Sequence, residues 1–110
     1  MQIKFSTNNG FKIISVEGRI DTITAGDFES QVLPYTQDGN SALIIDCSNL
    51  GYISSSGLRI FLILQKRVSA NGGRLMLCSM QPGIREIFDI SGFSNIFSIF
   101  HDLEQALASN

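Results

Sequence analysis

The sequence lacks a strong excess of charge of either sign, and it lacks a long apolar segment. Its 110 residues carry 8 Lys or Arg against 10 Asp or Glu, a net charge of −2. Proteins whose main partner is nucleic acid need a basic surface, so this balance argues against DNA or RNA. No apolar run approaches the roughly 20 residues that cross a bilayer, and the N-terminus does not resemble a secretion signal. We therefore expect a cytoplasmic protein that does not insert into a membrane.

The residues that build metal sites and hydrolase sites are also scarce. There are two cysteines and one histidine, and Cys47 and Cys78 are far apart and form no C-x-x-C pair. This ligand set is too small for zinc, so we interpret both cysteines as buried free thiols. The G-x-S-x-G elbow and the P-loop are absent, and the single histidine, His101, belongs to a predicted terminal helix. We predict no enzyme activity, no metal and no other cofactor.

Two aspartates, Asp21 and Asp46, each follow a predicted strand. A pair of carboxylates can act as acid and base in an enzyme. Aspartates at strand ends are also common turn formers, because the side chain bonds to the backbone a few residues later. We favour the turn-forming role for both.

The apolar residues that are present suffice for one compact domain. Hydrophobic residues make up 44% of the chain, and its length fits a single domain over residues 1–110. Apolar spacing alternates between the periods of strands and helices and predicts the order β-β-α-β-α-β-α-β-α. Alternating strands and helices indicate an α/β fold, here a mixed, mostly parallel sheet of four to five strands with helices packed on it.

Turn and cap signals place the elements of the first half. "NNG" at 8–10 predicts a hairpin between the first two strands, and "DGN" at 38–40 predicts a turn. Thr24, followed three residues later by Asp27, predicts the start of the first helix and a near capping box. Pro34 should end or kink that helix.

Similar signals order the second half. The continuous apolar run at 42–45 predicts a short strand buried on both faces. The stretch "SSGLRIFLILQKRVSANGG" predicts a long helix with a glycine stop, and "RLMLCSM" predicts another buried strand. A further helix should begin at Pro82, and "SNIFSIF" predicts the last strand before a short terminal helix.

Three consecutive serines precede the long helix, in "YISSSGLRIF" at 52–61. One of Ser54, Ser55 and Ser56 can cap the helix, because a serine there accepts a hydrogen bond from a free N–H group. A helix N-terminus also favours negative charge, so the fold tolerates a phosphate on a serine there, which adds about −1.5 to −2 charges. Arg59 lies four residues after Ser55, within reach of such a phosphate. The cap and the phosphorylation site are both open interpretations.

Three stretches of the chain together resemble the STAS-domain family, in particular its single-domain bacterial anti-sigma-factor antagonists. They are "VEGRIDTITAGDFE", "LIIDCSNLGYISSSGLRIFLIL" and "GGRLMLCSMQPGIREIFDISGF", and the resemblance covers nearly the whole chain. It implies that the unmodified protein binds an anti-sigma factor that is also a serine kinase, and so releases a sigma factor. The kinase then phosphorylates a serine before the central helix, which breaks the complex, and a serine phosphatase restores it.

The family motif is roughly Asp-Ser-Ser/Thr-Gly-Leu, with the first serine modified. Aligned with this chain, the resemblance implies phosphorylation of Ser55, with Ser54 and Ser56 as second choices. The aspartate of the motif falls on Ser54, which removes a negative charge and adds a hydroxyl. The residues implied to contact partners are Asp21, Asp46, Ser54, Ser56, Gly57, Leu58 and Arg59.

Other functions remain open. STAS domains also resemble docking subunits of transporters or lipid-transport complexes, and the missing motif aspartate favours this alternative, which needs no modification of Ser55. A small-ligand or nucleotide-binding module is a third possibility, although no phosphate loop is present. The apolar stretch "LRIFLIL" is either sandwiched in the core or exposes one edge to a partner.

Overall fold

The computed structural model describes residues 1–37 and 42–109. Its five strands form one sheet in the order β1-β2-β3-β4-β5, namely β1 (Gln2–Asn8), β2 (Phe11–Ile20), β3 (Ala42–Ile53), β4 (Arg74–Cys78) and β5 (Ser98–Phe100). The helices are α1 (Ala25–Val32), α2 (Ser55–Ala70), α3 (Pro82–Ile90) and α4 (Leu103–Ala108). Only β1 is antiparallel to its neighbour. The predicted element order and the mixed, mostly parallel sheet are confirmed.

The sheet has a large core on one face and a small one on the other. Alternate residues of a strand point to opposite faces, so Leu43 and Ile45 join the large core while Ile44 joins the small one. Helices α1, α2 and α3 cover the large core, and α4 covers the small one. Phe61 of α2 stacks near Phe28 of α1 and meets Phe88 of α3 edge-on. These contacts fix the position of α2 above the sheet.

Several predicted boundaries are confirmed. Asn9 and Gly10 both have positive φ, as a two-residue hairpin turn requires, and α1 ends at Val32 before a 3₁₀ turn that contains Pro34. The predicted turn at 38–40 lies outside the described residues. None of the helices in the described ranges is long and apolar enough to cross a bilayer.

Three local predictions are wrong. Strand β3 does not stop after its apolar run but continues to Ile53, because its polar second half pairs with the end of β2. The last strand covers only Ser98–Phe100, because a 3₁₀ turn at Phe93–Asn95 takes up the start of "SNIFSIF". Thr24 stands at the N-cap of α1 without a side-chain cap bond, so the capping box with Asp27 does not form.

The apolar stretch "LRIFLIL" of α2 is neither fully buried in the core nor fully exposed along one edge. Ile60, Phe61 and Leu64 are buried, whereas Leu62 and Ile63 are only half-buried. The helix therefore buries one side on the sheet and leaves part of its apolar surface at the boundary with solvent.

Candidate functional site

The carboxyl ends of β2 and β3 lie side by side and lead into the two helices that follow them. Ile20 and Ile53 are partners in the parallel ladder, and the amide of Ser54 donates a hydrogen bond of 2.8 Å to the carbonyl of Ile20. The loop after β2 and the first turn of α2 are therefore neighbours. In open α/β sheets, ligands commonly bind outside the carboxyl ends of the strands.

The three consecutive serines differ in their surroundings: one caps the helix and the next is exposed to solvent. Ser54 is the N-cap of α2, with φ −88° and ψ 172°, and its Oγ accepts a hydrogen bond of 3.2 Å from the amide of Gly57. Ser55, the first helical residue, is exposed, and Ser56 is half-buried. The sequence left the capping serine open among three, and the structure assigns it to Ser54.

The surroundings of Ser55 suit an added negative charge. Within residues 1–37 and 42–109, neither Ser55 nor Ser56 makes a side-chain hydrogen bond. The amides of the first helical residues have no intrahelical acceptor, and their dipoles make this end of α2 partly positive. Arg59 is exposed and forms no ion pair with the described residues. It lies one helical turn after Ser55, where side chains can meet.

Gly57 and Leu58 face the inside of the domain. A Cβ on Gly57 would lie 2.7 Å from Cγ2 of Ile20 and 2.8 Å from Cγ1 of Ile53. Leu58 is buried in the large core. Their positions bring the start of α2 close to both strand ends, and their contact with a partner stays a prediction.

Asp21 organises the loop between β2 and α1. Its Oδ1 accepts hydrogen bonds of 3.0 Å from the amides of both Ile23 and Thr24, and its Oδ2 lies 3.8 Å from Nε of Arg19. These bonds, above all the one from the Thr24 amide, lower the pKa of the Asp21 carboxyl. Thr24 Oγ1 in turn accepts from the Asp21 amide and donates to the carbonyl of Arg19.

The braced loop presents an apolar side chain that sequence analysis missed. Ile23 is 90% exposed, although its backbone is held by the Asp21 carboxylate. Beside this loop the guanidinium of Arg19 lies 4.2 Å from the ring centroid of Tyr52, which is itself exposed. The one sequence signal for the exposure of Ile23 is its place between two residues that form a turn. That signal is weak, because an apolar residue in a short loop is more often buried.

Asp46 is not part of this arrangement. It lies in the middle of β3, paired with Cys78 of β4, and its Oδ1 accepts a hydrogen bond of 3.0 Å from the amide of Ser48. The prediction that Asp46 closes the strand is wrong, because β3 continues to Ile53. Roughly 25 Å of extended chain separate it from Ser54.

We call the residues at the ends of β2 and β3 the strand-end surface, which comprises the exposed Arg19, Ile23, Tyr52, Ser55 and Arg59 and the half-buried Asp21. It combines cationic, acidic, aromatic and aliphatic groups with the exposed hydroxyl of Ser55. No histidine or cysteine belongs to it. The described ranges hold no group of three or more His, Cys, Asp or Glu side chains placed to bind a metal.

These features define an α/β domain with an exposed serine at the start of a helix, beside the carboxyl ends of two parallel strands. The chain belongs to the STAS domain family, whose model matches residues 2–106. It is similar to the putative anti-sigma factor antagonist BtrV of Bordetella bronchiseptica, with 32% identity over 99% of this chain and 94% of that protein. It is also similar to the anti-sigma-B factor antagonist of Staphylococcus aureus, with 25% identity over 90% of this chain and 92% of that protein.

Solved structures have the same fold. An anti-sigma factor antagonist from Mycobacterium paratuberculosis superimposes with a TM-score of 0.87 at 25% identity, covering 96% of this chain and 90% of the other. The resemblance inferred from the three sequence stretches is therefore confirmed at the level of the family.

Proposed function

We propose that this protein is an anti-sigma factor antagonist, a binding regulator and not a catalyst. Its curated relatives carry that description along almost the whole chain. The partner is an anti-sigma factor, which the strand-end surface contacts and which then releases its sigma factor.

We further propose that Ser55 is the switch. The observation that carries this proposal is the division between Ser54, whose hydroxyl caps α2, and Ser55, whose hydroxyl is exposed and unbonded among the described residues. A kinase needs a hydroxyl that is accessible and not already engaged in the fold. In this scheme the anti-sigma factor is itself the serine kinase, and a separate serine phosphatase reverses the modification.

Ser54 in place of the motif aspartate is compatible with this function. Serine and aspartate are comparable N-cap residues, because both offer a side-chain oxygen to the free amides of the first turn. The bond from the Gly57 amide to Ser54 Oγ fills this role here. The departure from the motif thus preserves the start of α2 and removes one negative charge beside Ser55.

A phosphate on Ser55 changes binding without reshaping the domain. The positive end of α2 and the guanidinium of Arg59 stabilise the phosphate in the free protein. In the complex, the dianion must be desolvated against Ile23, Tyr52 and the facing residues of the partner. A cost of about 1.4 kcal/mol already weakens binding tenfold, and burying an imperfectly paired charge costs more.

The modified residue can be mapped with variants of each serine. Incubation with the cognate kinase and ATP, followed by mass spectrometry, should give one phosphate on the wild-type chain and none on Ser55→Ala. Ser54→Asp is the matched control, because it keeps the cap, and it should still be phosphorylated. Phosphate on Ser54 or Ser56 in the Ser55→Ala variant would contradict the assignment.

The effect on binding can be measured by calorimetry with the cognate anti-sigma factor. Ser55→Asp should bind at least tenfold more weakly than Ser55→Asn, which has the same shape without the charge. Ile23→Ser should also weaken binding while leaving the stability of the free protein unchanged. Equal affinities of the two Ser55 variants, with no modification of the wild-type chain, would favour a docking subunit that does not switch.

A further inference from the structure

Strand β1 forms one edge of the sheet, and its outer side is not covered by any part of the chain that the structure describes. It pairs only with β2, over all seven of its residues, from Gln2↔Glu17 to Asn8↔Phe11. Of the usual devices that block pairing at an edge, the strand contains no proline and no bulge and carries a single lysine, Lys4. The opposite edge of the sheet, β5, is only three residues long.

The hairpin geometry identifies the backbone groups that point outward from β1. A two-residue turn at Asn9 and Gly10, both with positive φ, is closed by a hydrogen-bonded pair, here Asn8 and Phe11. Hydrogen-bonded pairs alternate along an antiparallel ladder, so the even-numbered residues of β1 bond to β2. The N–H and C=O groups of Ile3, Phe5 and Thr7 therefore point to the outer edge.

The side chains of these same three residues lie on the helix-covered face. Phe5 stands opposite Ile14 and Ile3 stands opposite Val16, and both partners belong to the large core. The ring of Phe5 stacks on Tyr35 with centroids 4.4 Å apart, yet Phe5 remains 44% exposed. The outer edge thus combines unpaired backbone groups with an exposed aromatic ring.

We propose that a second copy of this chain pairs along this edge, with the two β1 strands antiparallel about a twofold axis at Phe5. In this register Phe5 faces the second copy's Phe5, and Ile3 faces the second copy's Thr7. Each is a hydrogen-bonded pair, because the outward-pointing groups of both strands coincide. The two Phe5–Tyr35 stacks then join into one aromatic cluster that shields both exposed rings.

The charges on β1 are compatible with this register and exclude one of the alternatives. Lys4, its one ionisable side chain, faces the second copy's Ser6, and Gln2 faces the second copy's Asn8. A register centred on Lys4 would oppose the two ammonium groups directly, which is destabilising. The twofold contact is isologous, so it closes at two copies and does not propagate into a fibre.

Sedimentation equilibrium measures the oligomeric state and tests the proposal with variants that place a charge at position 5, on the twofold axis. The wild-type chain should show a monomer–dimer equilibrium, and Phe5→Lys should be monomeric at concentrations where the wild type dimerises. Asn8→Lys is the control, because it adds the same charge opposite a neutral residue, and it should still dimerise. A mixture of Phe5→Lys and Phe5→Glu should form a heterodimer, since position 5 then carries opposite charges across the axis.

Disulfide trapping tests the register independently. Phe5→Cys should form a covalent dimer under mild oxidation, because hydrogen-bonded partners have Cα atoms about 5.5 Å apart, within the range of a disulfide. Ser6→Cys should not, since the two copies of position 6 are diagonal neighbours about 8 Å apart. The native cysteines are buried and do not compete.

A wild-type chain that remains monomeric at the highest concentration it tolerates would overturn the proposal. So would a dimer that Phe5→Lys leaves intact, a failure of the charge-complementary mixture to associate, or equal trapping of the two cysteine variants. Circular dichroism of each variant separates loss of dimer from loss of fold. The result does not depend on the regulatory function, because no anti-sigma factor is present.

Discussion

At the scale of single residues, the start of α2 gives adjacent positions very different tasks. Ser54 caps the helix, Ser55 points to solvent, and Gly57 fills a space with no room for a side chain. The tasks follow from what each position contacts. The cap bond requires a side-chain oxygen at position 54 alone. The close approach of Gly57 to Ile20 and Ile53 requires that position 57 carry no methyl group.

Gly57→Ala should destabilise the domain. The added methyl group would lie 2.7 Å and 2.8 Å from side-chain carbons of Ile20 and Ile53, and both side chains are packed in the core. Overpacking of this kind typically costs about 1–3 kcal/mol. Urea denaturation followed by circular dichroism measures the loss in free energy of unfolding.

Gly83→Ala is the matched control, because Gly83 is also in the first turn of a helix and a Cβ there meets nothing within 4 Å. This variant should leave the free energy of unfolding unchanged or raise it by about 0.4–1 kcal/mol, because alanine reduces the conformational entropy of the unfolded chain. Equal stability of the two variants would show that α2 shifts freely to accommodate the methyl group.

At the scale of elements, the loop between β2 and α1 is fixed by the side chains at its ends. The carboxylate of Asp21 accepts two backbone amides, and the hydroxyl of Thr24 spans back to Arg19. These local bonds replace the predicted capping box and start α1 one turn after β2 ends. They also hold Ile23 outward, so the exposed isoleucine follows from the geometry of the loop.

The contribution of Asp21 to stability should disappear in acid. Its folded pKa is below the ordinary value of 3.8, chiefly because the charged form accepts the Thr24 amide. Such a group stabilises the fold above its unfolded pKa, and the stabilisation is lost as pH falls through the folded pKa. Asp21→Asn should therefore be less stable than wild type at pH 6, and the difference should shrink below pH 3.8.

Urea denaturation of both proteins at pH 6, 4.5 and 3 measures this difference. A gap between wild type and Asp21→Asn that stays constant across the series would mean that the charge of Asp21 does not brace the loop.

At the scale of the whole molecule, the sheet separates two cores and the two cysteines with them. Cys47 belongs to the large core under α1, α2 and α3, and Cys78 belongs to the small core under α4. Burial raises the pKa of both thiols, that of Cys78 to about 11. Neither thiol is exposed in the folded protein, and the sheet keeps them on opposite faces.

Thiol labelling should therefore report unfolding of the entire domain. With Ellman's reagent at pH 8, the native protein should show no rapid reaction, and two thiols should react after denaturation. Both should react with the denaturant dependence of global unfolding, because each core involves the central strands. Rapid labelling of one cysteine without denaturant would reveal local opening of the core that contains it.

Much of the fold could be predicted because its signals are local. Period-two and helical spacing gave the order of the elements, and Asn9–Gly10 marked the hairpin. The predictions failed where pairing between distant segments decided the outcome. The second half of β3, from Ser48 to Tyr52, lacks the continuous apolar run of the first half and is a strand because β2 runs beside it.

The candidate site was predicted in part. The serine run and Asp21 were identified, Asp46 was placed at a strand end that does not exist, and Ile23 was missed. Solvent exposure of an isoleucine depends on what the rest of the chain leaves uncovered, and no local pattern encodes that.

By itself the sequence determined the class of fold, the family and the helix start at which the serines lie, because periodicity, capping and turn chemistry act between near neighbours. Only the tertiary structure decided which serine caps and which is free, why Gly57 must be small, and how β1 presents an open edge. Those properties depend on which distant segments come into contact, and contacts of that kind form only when the sheet and its helices assemble.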